Sequence, residues 1–155
     1  MDKDNYYPRA KMARKEVDLW FSEAKNDFKM GELLLKGKMY NGAAFHFQQA
    51  AEKSLKALLY LFNLPPWGHS ILKLLRKYKD EGHQINPELE SNARELDRHY
   101  ITSRYPDTLP NITPQDAYDE KIAQSLKEKA QFIIDFVEQE KITKEKADAK
   151  KKGSL

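Results

Sequence analysis

Residues 43–62 read AAFHFQQAAEKSLKALLYLF, and this stretch decides the fold class. Ala43, Ala44, Phe47, Ala51, Leu55, Leu58 and Phe62 recur at the spacing of one helical face. Phe45, Leu59 and Leu61 carry the apolar surface well round the helix. A helix this apolar lies between several others or in an interface between subunits. Its polar residues His46, Gln49, Lys53, Lys56, Tyr60 and Asn63 also step by three and four, which puts them in one narrow stripe. Two readings of the stripe stand. It is a solvent-facing edge, or it lines a groove for an anionic ligand in which Lys53 and Lys56 supply the charge.

The flanking sequence is helical as well. Val17, Trp20, Phe21, Ala24, Phe28 and Leu35 predict a helix from about Arg14 to Leu35, ended by Gly37. The short turn GKMYNG makes the two helices antiparallel neighbours. Asn63-Leu64-Pro65-Pro66-Trp67-Gly68 breaks the chain, and a shorter helix spans about Ser70 to Lys79. Asn86 is a good N-cap, Pro87 suits the first helical position, and Glu88 and Glu90 suit the positive helix end. That helix runs to about Tyr100. A loop with two prolines follows. Thr113-Pro114-Gln115-Asp116 then starts the last helix, with Tyr118, Ile122, Leu126, Ala130, Ile133 and Val137 on one stripe. The expected fold is all-α, an antiparallel up-and-down bundle of about five helices, four long or medium and one short. The bundle occupies residues 14–140, between an irregular leader at 1–13 and a basic, frayed tail at 141–155.

Composition narrows the function. The 155 residues fit one domain. Charged residues make up 33%, which suits a soluble surface, and no apolar run approaches the ~20 residues that span a bilayer. The polar N-terminus has no apolar leader segment, so a cytoplasmic protein is expected. There is no cysteine, which excludes disulfides, thiolate metal sites and cysteine nucleophiles. Of the net charge of +3, residues 141–152 carry six lysines against Glu145 and Asp148, so the bundle itself is not strongly basic. Gly-rich phosphate loops are absent, and His46, His69, His83 and His99 stand in no HxxxH or HExxH relation, so neither metal nor cofactor is expected.

The segments FHFQQAAEKSLKALL (45–59), GHSILKLL (68–75) and LDRHYITSRYPD (96–107) together resemble the HEPN domain family. The resemblance implies a helical bundle that often dimerises. It also implies a frequent partner, a minimal nucleotidyltransferase, sometimes in toxin–antitoxin pairs. Many members are metal-independent ribonucleases marked by Arg-x(4–6)-His, and others bind nucleotide or RNA without cutting. Arg94 and His99 match the Arg-x4-His form.

In a ribonuclease of that kind His99 would act as acid or base at the ribose 2′-hydroxyl, and Arg94 would stabilise charge on the phosphate. On a straight helix the two side chains start about 140° apart, so convergence needs a bend or a second chain. The other candidate ligand site is the loop Ser103–Asp107, where Arg104 offers a planar phosphate fork and Tyr105 a stacking ring beside Asp107; the structural alternative is that Arg104 pairs with Asp107 or a helix end, Tyr105 plugs the bundle and Pro106 fixes the turn. Three functions compete: a homodimeric nucleotide- or RNA-binding module beside a nucleotidyltransferase, a ribonuclease toxin using Arg94 and His99, and an assembly domain without a ligand.

Overall fold

The computed structural model describes residues 9–153. They form α1 (Arg9–Lys36), α2 (Tyr40–Leu61), α3 (Ile71–Asp80), α4 (Pro87–Asp97), α5 (His99–Thr102), a 3-10 turn (Pro106–Thr108), α6 (Pro114–Ala117) and α7 (Glu120–Gly153). All regular structure among the described residues is helical. Five helices make the bundle, and α5 and α6 are single turns.

The apolar stretch is the axis of the molecule. Helix α2 packs against each of the other helices. Ala43, Ala44, Phe47, Ala50 and Ala51 are fully buried, and Leu55, Leu58 and Leu59 nearly so. They meet Phe21 of α1, Leu74 and Leu75 of α3, Leu89 and Leu96 of α4, and Leu126 and Ile133 of α7 in one core. The apolar girth that suggested a subunit interface is therefore covered within the chain.

Both ends of the α1–α2 hairpin are locked by the same device. At the end of α1, Lys38 takes the left-handed conformation (φ 61°), Met39 N–H bonds the Leu34 carbonyl at 2.8 Å and Lys38 N–H the Leu35 carbonyl at 3.1 Å. At the end of α2, Asn63 (φ 57°) does the same, with Leu64 N–H on the Leu59 carbonyl at 2.8 Å. The left-handed residue after α1 is thus Lys38, where Gly37 was expected.

The predicted caps at Asn86 and Thr113 form, with side-chain oxygens accepting the N–H of Glu88 and Asp116. Four boundaries differ from the sequence expectation. The helix from Asn86 stops at Asp97, and a separate turn follows in which the hydroxyls of Thr102 and Ser103 bond the carbonyls of Arg98 and His99. The helix capped by Thr113 lasts one turn. Tyr118 then points inward at 7% exposure, and Asp119 starts α7 by accepting the Ile122 N–H at 2.8 Å. The lysine-rich segment expected to fray continues α7 to Gly153. Lys141 and Lys144 lie over the rings of Phe21 and Phe62, and Lys144 pairs with Asp148 at 3.0 Å. Helix α1 begins at Arg9, ahead of the expected Arg14, and the first eight residues of the predicted leader lie outside the described residues.

Candidate functional site

The polar stripe of α2 faces α1. Asp27 of α1, almost fully buried, receives Lys53 Nζ at 2.6 Å on one oxygen and His46 Nδ1 at 3.0 Å on the other. Burial alone would raise the Asp27 pKa. The hydrogen bonds from His46 and Lys53 outweigh it and hold the carboxyl below its ordinary value. Lys56 is 7% exposed, lies 3.5 Å from Glu52, and rests over the Trp20 ring. The stripe of the sequence reading thus lies along α1. Lys53 ties α2 to α1 through Asp27, while Lys56 pairs with Glu52 of its own helix and meets α1 through the Trp20 ring.

Arg104 is placed differently. Its guanidinium carbon sits 4.4 Å from the centre of the Phe45 ring, 4.8 Å from Tyr100 and 5.0 Å from Tyr105. Its Nε donates to the Tyr100 carbonyl at 3.0 Å, and no carboxylate among the described residues pairs with it. Asn41 of α2 holds the loop from below by donating to the Ser103 carbonyl at 3.1 Å. The result is a half-buried, oriented cation whose outer amines have no hydrogen-bond partner among the described residues. Tyr105 is 48% exposed and does not plug the bundle. Asp107 stands exposed in the 3-10 turn and makes no ion pair with Arg104.

Among the described residues no hydrogen bond or ion pair joins Arg94, exposed on α4, to His99. His99 lies beyond the break at Arg98. Its Nδ1 is 2.6 Å from the Tyr118 hydroxyl and its Nε2 is 3.4 Å from Glu95. Tyr118 also lies 3.1 Å from Thr102. Burial pushes the His99 pKa down, against the pull of Glu95 and with help from Arg98. Both imidazole nitrogens are engaged, and the side chain is 16% exposed.

Sequence reasoning missed a third group. Gln48 and Glu52, one helical turn apart, are buried on α2, at 0% and 2% exposure. Both face His69, the residue before the N-cap of α3. A polar pair at a spacing of four inside an apolar helix is the signal that would have found them. Among the described residues no cluster of three or more His, Asp or Glu side chains converges to hold a metal ion. No described helix is long and apolar enough to cross a membrane.

The HEPN domain profile matches residues 17–141. A proposed toxin of Methanocaldococcus jannaschii is 24% identical over 135 residues, covering 79% of this chain and 86% of that protein. Among solved structures, a Thermus thermophilus protein is 34% identical, superposes with a TM-score of 0.77, and covers 79% of this chain and 96% of its own. An archaeal HEPN homologue is 31% identical with a TM-score of 0.69, over 80% and 96%. A HEPN domain protein from Thermotoga maritima is 32% identical with a TM-score of 0.62, over 77% and 94%.

Proposed function

This chain belongs to the HEPN domain family, and we propose that it is a toxin-like module that binds RNA or nucleotide phosphate through Arg104. One observation carries the reading: a guanidinium stacked among Phe45, Tyr100 and Tyr105, anchored by Nε, with outer amines that no described residue bonds. Such a group is already desolvated and oriented, so a phosphate gains charge-assisted bonds with little ordering cost. The exposed Tyr105 ring offers a stacking surface beside it. A homodimer is the working form in this reading, with the exposed Ile101 and Tyr105 flanking the seam, and a minimal nucleotidyltransferase is its partner.

The test is binding of ATP and of a fluorescein-labelled single-stranded RNA, followed by calorimetry and anisotropy. Arg104→Ala is expected to weaken the phosphate ligand roughly tenfold to a hundredfold, the value of one or two charge-assisted bonds. Arg104→Lys, which keeps the charge and loses the fork, should fall between. Its salt dependence should match wild type, while Arg104→Ala lowers the slope by about one. Equal affinity for wild type and Arg104→Ala would remove this site.

A second reading places the chemistry at Arg94 and His99. It is favoured by the half-buried imidazole of His99 held between Tyr118 and Glu95, with its pKa pushed down by burial. A second chain would then bring Arg94 toward it. This reading expects RNA cleavage that persists in chelator and is lost in both Arg94→Ala and His99→Ala. Full activity of either variant would exclude it.

A further inference from the structure

Helix α3 turns a cationic face to solvent. Ile71, Leu74, Leu75 and Tyr78 point into the core, and Lys73, Arg76 and Lys77 stand on the other side. Local helix chemistry does not account for these charges. Ser70 caps α3 by accepting the Lys73 N–H at 3.2 Å, which makes Lys73 the third helical residue. That position favours Glu or Gln, which would complete the cap and suit the positive helix end. A lysine there works against the dipole. Among the described residues, neither the Lys73 ammonium nor the Arg76 guanidinium has a hydrogen bond or ion pair. Lys79, by contrast, is neutralised by Glu90 at 3.2 Å.

Beside this face stands the most exposed large apolar side chain among the described residues. Trp67 is 79% exposed, and its indole N–H has no partner among them. The backbone that carries it is braced. Asn63 leaves α2 in the left-handed region, and Leu64 packs on the core. Pro65 and Pro66 fix their own φ and hold the residues before them extended. Lys77 Nζ donates to the Pro65 carbonyl, which pins one end of the segment to α3. Ser70, whose hydroxyl donates to Asp97 at 2.8 Å, pins the other. Trp67 lies between these anchors, alongside the Lys73–Lys77 edge of α3. Nothing stands within 4 Å of where a Gly68 Cβ would be, so this corner is clear of the bundle.

We propose that Trp67, Lys73, Arg76 and Lys77 form a docking surface for an acidic segment of a partner protein, with an apolar residue of that segment seated on the indole. The surface does not depend on the Arg104 site. Charge complementarity selects the chemistry: the occupant is anionic and covers a large ring. The footprint selects the class. The three cations fall within one short stretch of helix, about 6 Å of rise, and the exposed Asp80 and Glu81 close the patch at its end. That size fits two or three carboxylates of a short segment. A nucleic-acid backbone needs a longer track of cations, which this face does not continue. A bilayer takes in a broader apolar face than one ring. A rigid tryptophan beside unpaired cations is the make-up of an interface hot spot, and the braced backbone keeps the ordering cost small.

The experiment uses the full chain and a short fluorescein-labelled peptide in which glutamates flank a central phenylalanine. Binding is read by anisotropy, beside the same peptide with glutamine for glutamate. Wild type is expected to bind the glutamate peptide at least about tenfold more tightly. Trp67→Ala should weaken that binding about tenfold to a hundredfold, and Lys73→Glu combined with Arg76→Glu should abolish it. These side chains are exposed, so the variants should keep the wild-type Tm within about 2 °C. Emission from Trp67, isolated by difference from Trp67→Phe, should move to the blue as the peptide covers the ring. Labelled single-stranded RNA and vesicles of phosphatidylserine and phosphatidylcholine are tested as rival occupants. Equal affinity for the two peptides, no binding of either, or binding unchanged in Trp67→Ala would overturn the proposal. So would RNA or vesicle binding that is tighter than that of the glutamate peptide and lost in the same variants, because it would assign the surface to another occupant.

Discussion

Phe47→Ala is expected to cost about 4 kcal/mol and to lower Tm by roughly 12 °C, the scale for a lost aromatic in a domain of this size. Phe47 is fully buried, with its ring 5.3 Å from that of Phe28. The other contact is the decisive one. A Cβ added to Gly31 would lie 2.6 and 2.7 Å from two atoms of the Phe47 ring. Helices α1 and α2 close to this distance because Gly31 has no side chain. Gly31→Ala in the wild-type chain should therefore destabilise, although replacing a helical glycine is worth about 1 kcal/mol in isolation. In the Phe47→Ala background the same change meets a cavity and should stabilise. Urea unfolding of the four proteins measures the coupling. Stabilisation by Gly31→Ala in both backgrounds would show that ring-on-glycine packing does not set the approach of the two helices.

How far the sequence carried follows from the range of each interaction. The α2 face was readable because helical periodicity repeats within one segment, and the Asn86 and Thr113 caps because they act over two or three residues. The Arg104 site was partly readable. Tyr100 and Tyr105 are its sequence neighbours, while Phe45 comes from α2. The break at Arg98 was not readable. It follows the residue whose carboxylate is drawn to N–H groups 25 and 26 positions away on α3. What the polar stripe faces was not readable for a similar reason. Periodicity shows that His46, Lys53 and Lys56 share a face, but not whether water, a ligand or α1 lies opposite. Glu52 and Gln48 were passed over because they lie outside the polar stripe from His46 to Asn63, and their partner His69 is supplied by a loop.

Removing the α1 partner of that stripe should be nearly as damaging as emptying the core. Asp27→Ala is expected to cost about 3 kcal/mol near neutral pH and to lower Tm by roughly 8 °C. It leaves the Lys53 ammonium and the His46 imidazole facing a space that no longer neutralises them. The value sits at the low end for a broken buried pair because Lys53 is one-fifth exposed and has Glu23 at 3.8 Å. Asp27→Asn separates charge from shape. It keeps the volume and one acceptor, so whatever stability it loses reports the carboxylate charge. The folded Asp27 pKa lies below its ordinary value of 3.8, so the unfolded chain binds this proton first as pH falls. Its contribution is full above the unfolded pKa and fades as pH drops through the folded one. The gap in unfolding free energy between wild type and Asp27→Asn should therefore be constant from about pH 7 to 5 and narrow below about pH 4. Measured by urea titration across that range, a gap that stays constant to the lowest pH would show that the ion pair adds nothing beyond packing. A gap that narrows identifies Asp27, Lys53 and His46 as the electrostatic tie between the first two helices.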